Sequence, residues 1–368
     1  MHGDLALLAS NQYQKAKARY PNVCGSGLFM EAIEQNPVYY ELAFEMPNHA
    51  DSIPLQAWLA AYAERRYGAK SAAAGKAWMY LLEGPYRQGT NGTERSSIVA
   101  ARPALNVKKS GPNAGLGIPY EPMLVIRAQS QLLKDADKLA FSKPYRFDIV
   151  DVQRQMMTNL GQLVHKKAAE AFASKDKAAF VLHSGRFLEL LRDMDELLYT
   201  RSEYSFDRWL TEARSWGETK EEKDLMERDA TSLVTIWGAD GDPRIFDYSW
   251  REWAGLINGY YLPRWQKFYT MLQGHLDAGT DYQEEGLSLA YGREDFRAND
   301  FYNRLAEWEL AYVDQTGKAR TPVTHGDELV VTRRLFDKYL KLSREYYADF
   351  SGVGEIKEER TYENVGEE

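Results

Sequence analysis

The sequence predicts a mainly α-helical protein, one large all-α domain preceded by a piece of an α/β fold. Three observations carry this. Through most of the 368 residues, apolar side chains recur at steps of three and four, the period of a helix with one buried face. Alternation at period two, the mark of a half-buried strand, is rare. Residues 1–50 differ from the rest: a helical run, a short β-prone run, a Gly-Ser-Gly turn and a second helical run make one αβα passage. A single strand cannot form a sheet, so this passage is a fragment of an α/β domain.

In chain order, Leu5 to Tyr20 suits a helix. Pro21-Asn22-Val23-Cys24 is β-prone and runs into Gly25-Ser26-Gly27 and on to Glu31, with Cys24 expected to be buried near the strand. Gln35-Asn36-Pro37 opens another helix, with Val38, Leu42 and Phe44 apolar. From residue 51 the pattern is helical. Asp51 or Ser52 can cap a helix with Pro54 in its first turn. Leu55, Leu59 and Tyr62 fall on one face, and Gly68 ends the helix. Ile149, Val152, Met156, Leu160 and Leu163 keep the helical step. So do Phe187, Leu191, Met194 and Leu198, and so do Val331, Leu335, Tyr339, Leu342 and Tyr346. These runs place an all-α domain at 51–347. Trp253, Tyr260, Tyr261 and Trp265 are expected to pack between its helices.

Two loops interrupt the helical pattern. One runs from Gly84 to Gly117; the other, Gly238 to Pro243, follows a helix expected to end in Trp237. Loops of this length in a compact domain often serve a site. Asp240, Asp242 and Asp247 do not meet the EF-hand spacing and read as solvated loop carboxylates. Residues 348–368, Glu-rich from Ser351 onward, read as a disordered tail.

Composition narrows the function. With 44% hydrophobic and 27% charged residues, the chain can bury a sizeable core. A net charge of −8 without a Lys/Arg cluster argues against a nucleic-acid partner. One cysteine rules out an internal disulfide. The six histidines are scattered, with no HxxxH or HExxH pair, so neither a metal nor a cofactor is expected. No stretch approaches the roughly 18 apolar residues of a membrane span. The first ten residues lack the basic start and apolar run of a signal peptide. Aromatic residues are abundant, with 24 Tyr and 9 Trp; such rings fill helical cores and also stack on sugar faces.

Three blocks resemble glycoside hydrolase family 89. Gly25-Ser26-Gly27-Leu28-Phe29-Met30-Glu31-Ala32-Ile33-Glu34-Gln35-Asn36 is similar to the family's GxGxxxEGIxxN segment. Trp237-Gly238, Ile245-Phe246-Asp247-Tyr248, Trp253-Ala254-Gly255-Leu256 and Tyr260-Tyr261-Leu262-Pro263-Arg264-Trp265 follow the LTLWG, LDY, AGL and YYxPRW runs of its helical domain. A weaker block joins Trp58, Tyr62 and Arg65-Arg66-Tyr67-Gly68 to Tyr145-Arg146-Phe147-Asp148-Ile149-Val150-Asp151, with Arg154-Gln155. The departures are Met30 and Ala32, where Pro and Gly often flank the family's glutamate, Thr231 in place of Arg, and Asp229 in place of Asn.

The resemblance implies a (β/α)8 catalytic barrel, with residues 1–50 as its C-terminal remnant, followed by an all-α domain that closes one side of the cleft. It implies a retaining hydrolase of terminal α-linked N-acetylglucosamine that uses no cofactor, with an extracellular or periplasmic parent enzyme. Glu31 matches the nucleophile. Trp237, Ile245 and Tyr248 match residues that wall the sugar pocket, and His2 falls at a strand end near the bound sugar. A retaining glycosidase needs two carboxyl groups about 5–5.5 Å apart. In the family the second lies upstream of anything in this sequence. Glu34, one helical turn beyond Glu31, reads as a solvated first-turn carboxylate. The expectation is a C-terminal portion of a longer enzyme, inactive alone. The competing readings are a non-catalytic helical carbohydrate-binding module and a purely structural one.

Overall fold

The computed structural model describes residues 1–29, 36–87, 96–111, 115–238, 245–282, 284, 300–319 and 321–347. Helices dominate, and among the described residues there is no strand beyond isolated bridges. The expected 348–368 tail lies outside the described residues.

The single helix expected over Leu5–Tyr20 is two: α1 (Leu5–Ala9) and α2 (Gln12–Arg19). The break falls at Asn11, whose φ is +69°; asparagine is one of the few side chains that visits the left-handed region readily. Asp4 heads α1, accepting the Leu7 N–H at 2.8 Å. The β-prone run after α2 is not a strand. It opens with a turn, Val23 N–H to the Tyr20 carbonyl at 2.9 Å, and Cys24 is exposed rather than buried. An extended run with no neighbour to complete a ladder has no reason to bury its backbone. α3 (Pro37–Glu45) begins where proline predicts, buries Val38 and Leu42, and leaves Phe44 exposed.

The helical region follows the periodicity closely. α4 (Leu55–Tyr67) ends at Gly68 with φ +71°, as a left-handed cap requires. Its N-terminus carries no side-chain cap, so the role expected of Asp51 or Ser52 is not taken. α5 (Ala72–Glu83), α6 (Met123–Lys134), α7 (Ala136–Leu139), α8 (Lys143–Ala173) and α9 (Lys177–Leu198) follow. α8 and α9 form the central hairpin, and their pairing is the most extensive in the molecule. Then come α10 (Phe206–Arg214), α11 (Lys220–Leu233), a π-helical turn at Ile257–Tyr261, α12 (Leu262–Ala278), α13 (Asp300–Asp314) and α14 (Glu328–Tyr346). α14 packs back onto α8 and α9, α12 lies on α9, α4 and α6 also pack on α8, and α5 packs against both α4 and α6. Phe187, Leu191, Met194 and Leu198 have no exposed surface; each stabilises the fold by about 1.5–3 kcal/mol through burial.

α8 also buries charge. Asp148 accepts a two-pronged bond from Arg66, both distances 2.7 Å, and a third bond from the Tyr67 hydroxyl at 2.8 Å. Trp78 Nε1 then donates to that hydroxyl at 3.0 Å. One turn on, Asp151 accepts from Arg154 and from Tyr204. Arg154 also reaches Glu252, which accepts from Ser97 at 2.5 Å and Thr158 at 2.7 Å. Arg66 with Asp148, and Arg154 with Asp151, all of the weaker motif block, therefore help bind α4 and the 252 segment to α8.

Part of the loop expected from Gly84 to Gly117 is not at the surface. Ile98, Val99, Ala100 and Ala101 are fully buried. A buried loop must find partners for its carbonyls. Here Trp265 Nε1 donates to Val99 O at 3.3 Å and Arg264 donates to Ala100 O at 2.6 Å.

Candidate functional site

The second motif block folds into one compact loop. α11 ends at Leu233, and the chain turns through Val234–Gly238 rather than continuing as helix to Trp237. The Trp237 and Gly238 N–H groups both return to Ser232, at its carbonyl (2.7 Å) and hydroxyl (2.8 Å). Residues 239–244 lie outside the described residues. On the far side, Tyr248 N–H donates to Ile245 O at 3.1 Å, and Asp247 N–H donates to Thr235 O at 2.6 Å. That last bond fastens the two halves of the loop together.

This brings Trp237, Ile245 and Tyr248 to one place. The Trp237 and Tyr248 ring centres are 4.6 Å apart with their planes inclined at 35°. All three residues are half-buried, so they offer surface without being core. Tilted aromatic faces at this spacing present a polarised π surface, suited to the C–H faces of a pyranose ring.

Beneath the rings lies a buried ionic chain. The carboxylate of Asp247, read from the sequence as solvated, has no exposed surface. It accepts from Arg264 at 2.9 and 3.1 Å. Arg264 also donates to Glu309 at 3.0 Å, and Glu309 accepts a two-pronged bond from Arg102 at 2.7 and 3.1 Å. All four side chains are fully buried. Two positive and two negative charges alternate, so the set is neutral, as burial in a low dielectric requires. The Arg264 guanidinium also sits over the Tyr260 and Tyr261 rings, 4.5 and 5.1 Å from their centres. Burial and the neighbouring Asp247 carboxylate push the Tyr261 phenol well above its ordinary range. Sequence reading left this set out, since its members are up to 207 residues apart. The available signal was an arginine inside the apolar run Tyr260-Tyr261-Leu262-Pro263-Arg264-Trp265, a place where a guanidinium is stable only against carboxylates.

His2 lies in the N-terminal segment. Its N–H donates to Asn36 Oδ1 at 3.0 Å, and the Tyr86 hydroxyl donates to the same oxygen at 3.2 Å. Asn36 closes the segment that carries Glu31, so His2 is tied to that segment. Glu31 itself, with Met30 and Glu34, lies outside the described residues. Met1 lines one small polar cavity of about 30 Å³ together with Trp250 and Glu252, which follow Tyr248 in the chain; neither His2 nor the ring pair lines it.

Residues 58–338 match the family model of the alpha-N-acetylglucosaminidase (NAGLU) C-terminal domain. The chain belongs to this family. Human alpha-N-acetylglucosaminidase is 33% identical over 343 residues, which are 91% of this chain and 42% of that protein. The structure is similar to a family 89 glycoside hydrolase from Clostridium perfringens in complex with PUGNAc, with a TM-score of 0.80 and 28% identity. That similarity covers 97% of this chain and 38% of the clostridial one. A further structure of the clostridial enzyme, with two glutamates changed to glutamine, holds its substrate GlcNAc-alpha-1,4-galactose; it has the same TM-score and identity and covers 95% of this chain. The chain thus spans less than half the length of the relatives it matches. The mainly α-helical character expected from the sequence is that of the NAGLU C-terminal domain. The matched span begins after residues 1–50, the segment expected to be a barrel remnant.

Proposed function

We propose that this chain is the C-terminal portion of a retaining glycoside hydrolase that releases terminal α-linked N-acetylglucosamine. The observation that supports the reading is the half-exposed Trp237–Tyr248 ring pair, in a domain that matches the alpha-N-acetylglucosaminidase C-terminal family. In this reading the ring pair and Ile245 form the helical wall of the sugar pocket, and His2 contributes from the opposite wall. Glu31 attacks the anomeric carbon to form a glycosyl-enzyme ester. A second carboxylic acid, supplied by residues upstream of this sequence, protonates the departing oxygen and then activates water. The chain by itself binds the sugar and turns nothing over.

Two measurements test this. The chain as given should bind N-acetylglucosamine weakly, and Trp237→Ala should weaken binding at least tenfold, which corresponds to about 1.4 kcal/mol. In a polypeptide that also carries the upstream barrel, Glu31→Gln should abolish cleavage of an aryl α-N-acetylglucosaminide. Proton NMR should then show the α-anomer as the first product of the unaltered enzyme. Full turnover by the Glu31→Gln protein, or a β-anomer released first, would defeat the assignment. Sugar binding by a barrel-containing protein that never cleaves would instead favour a non-catalytic module.

A further inference from the structure

We propose that Asp247 and Arg264 are positioning residues for the Trp237–Tyr248 ring pair, setting the distance and tilt at which those rings meet the sugar. The inference rests on the reading of the ring pair as a sugar wall. It starts from two backbone outliers. Trp237 has φ +56° and Asp247 has φ +58°. Both lie in the left-handed region, which tryptophan in particular has no short polar side chain to make tolerable. Such residues persist only where the surroundings over-determine them, and they gather at functional sites. Here each outlier sits beside or at one ring of the pair.

The surroundings impose this conformation. The Asp247 carboxylate is held by Arg264, and its N–H by Thr235 O. Its carbonyl lies close against Gly111, where an added Cβ would come within 2.8 Å of the Asp247 oxygen. The residues on the inner side of each outlier, Ile236 and Phe246, are buried with Val313 of α13 in a small apolar cluster apart from the main core. Arg264 is in turn immobilised by Glu309, by Ala100 O and by two tyrosine faces. The ring pair is thus mounted, through one carboxylate, on a point fixed inside the helical domain. Rings fixed before the sugar arrives lose little freedom on binding, which raises affinity without any new contact.

The test uses the full chain with Asp247→Asn and Arg264→Lys. Asparagine tolerates the same backbone conformation but lacks the charge; lysine keeps a charge but cannot fork. Asp193→Asn, which disturbs the Tyr339 and Lys338 contacts between α9 and α14, serves as a structural control. The ring pair is read from its near-ultraviolet circular dichroism, defined as the difference between the unaltered chain and Trp237→Phe. Affinity for N-acetylglucosamine is read by ligand-observed NMR. Both positioning variants should lose most of the ring-pair band and bind at least tenfold more weakly, with far-ultraviolet spectra unchanged. Asp193→Asn should keep band and affinity. A folded Asp247→Asn or Arg264→Lys chain with the band intact overturns the proposal. If Trp237→Ala binds sugar as well as the unaltered chain, the sugar-wall reading fails, and the band still decides whether the mounting holds. Should one variant fail to fold, the other decides alone.

Discussion

Burial sets two side chains against each other as the pH falls through the mildly acidic range. His165 is enclosed by Trp265, Phe187 and Tyr269, with Nδ1 at 2.8 Å from the Tyr269 hydroxyl. Loss of solvation lowers its pKa from 6.5 to about 4. Asp195 accepts the Gly255 and Asn258 N–H groups at 2.8 and 3.1 Å. Burial outweighs those bonds and raises its pKa from 3.8 to about 6. The signs are opposite. For His165 the unfolded chain binds the proton first, so its contribution is complete above pH 6.5 and is lost as the pH falls through about 4. For Asp195 the folded chain binds the proton first, so its contribution is present below pH 3.8 and lost as the pH rises through about 6. Each shift amounts to about 3 kcal/mol, so the two largely offset between pH 4 and 6. Asp195→Asn removes one side of this balance. Relative to the unaltered chain, its melting temperature should be most favourable at pH 8 and decline steadily toward pH 4. Parallel melting curves across that range would exclude the idea.

At the scale of elements, the joint between α4 and α8 is the clearest point of strength. Arg66 meets Asp148 with both prongs in a site where neither is more than slightly exposed. Removing one partner of such a pair leaves a buried charge, so Arg66→Ala should cost about 3–5 kcal/mol in a urea titration. Gly68→Ala, which places a side chain at φ +71°, should cost about 1 kcal/mol. These elements also mark what the sequence made legible. The α9 face Phe187, Leu191, Met194 and Leu198 was readable because a helix repeats its environment every three to four residues. The break at Asn11 was not, since one residue in a left-handed conformation leaves no periodic trace. The buried course of residues 98–101 was hidden for a different reason. What makes it possible is a pair of donors, Arg264 and Trp265, far away in the chain. The site divides the same way. Trp237, Ile245 and Tyr248 are neighbours in sequence and could be read together from their motif. The burial of Asp247 depends on Arg264, Glu309 and Arg102, and no local pattern records a contact across such distances.

At the scale of the whole molecule, the described residues of the helical domain form one large apolar core and a second, small one that includes Ile236 and Phe246 of the ring loop. The alternating charges lie between the loop and the main body and are shared by segments from four parts of the chain. Loss of Glu309 would remove the carboxylate that Arg102 grips with both prongs and leave Asp247 to hold Arg264. Glu309→Ala should therefore lower stability by about 3–5 kcal/mol, more than truncation of an exposed glutamate such as Glu212, which should change it by under 1 kcal/mol. Equal unfolding midpoints for the two variants would show that the buried charges contribute nothing to holding the domain together.

The wide sequence separation of these charges has a consequence for synthesis. A ribosome that has just made Arg102 must add 207 more residues before Glu309 exists. Until then a guanidinium bound for a dry interior has to remain hydrated, and α12 cannot settle over residues 98–101. Closure of the domain thus waits on α13, and nascent chains halted before that helix should be the ones that proteases remove first.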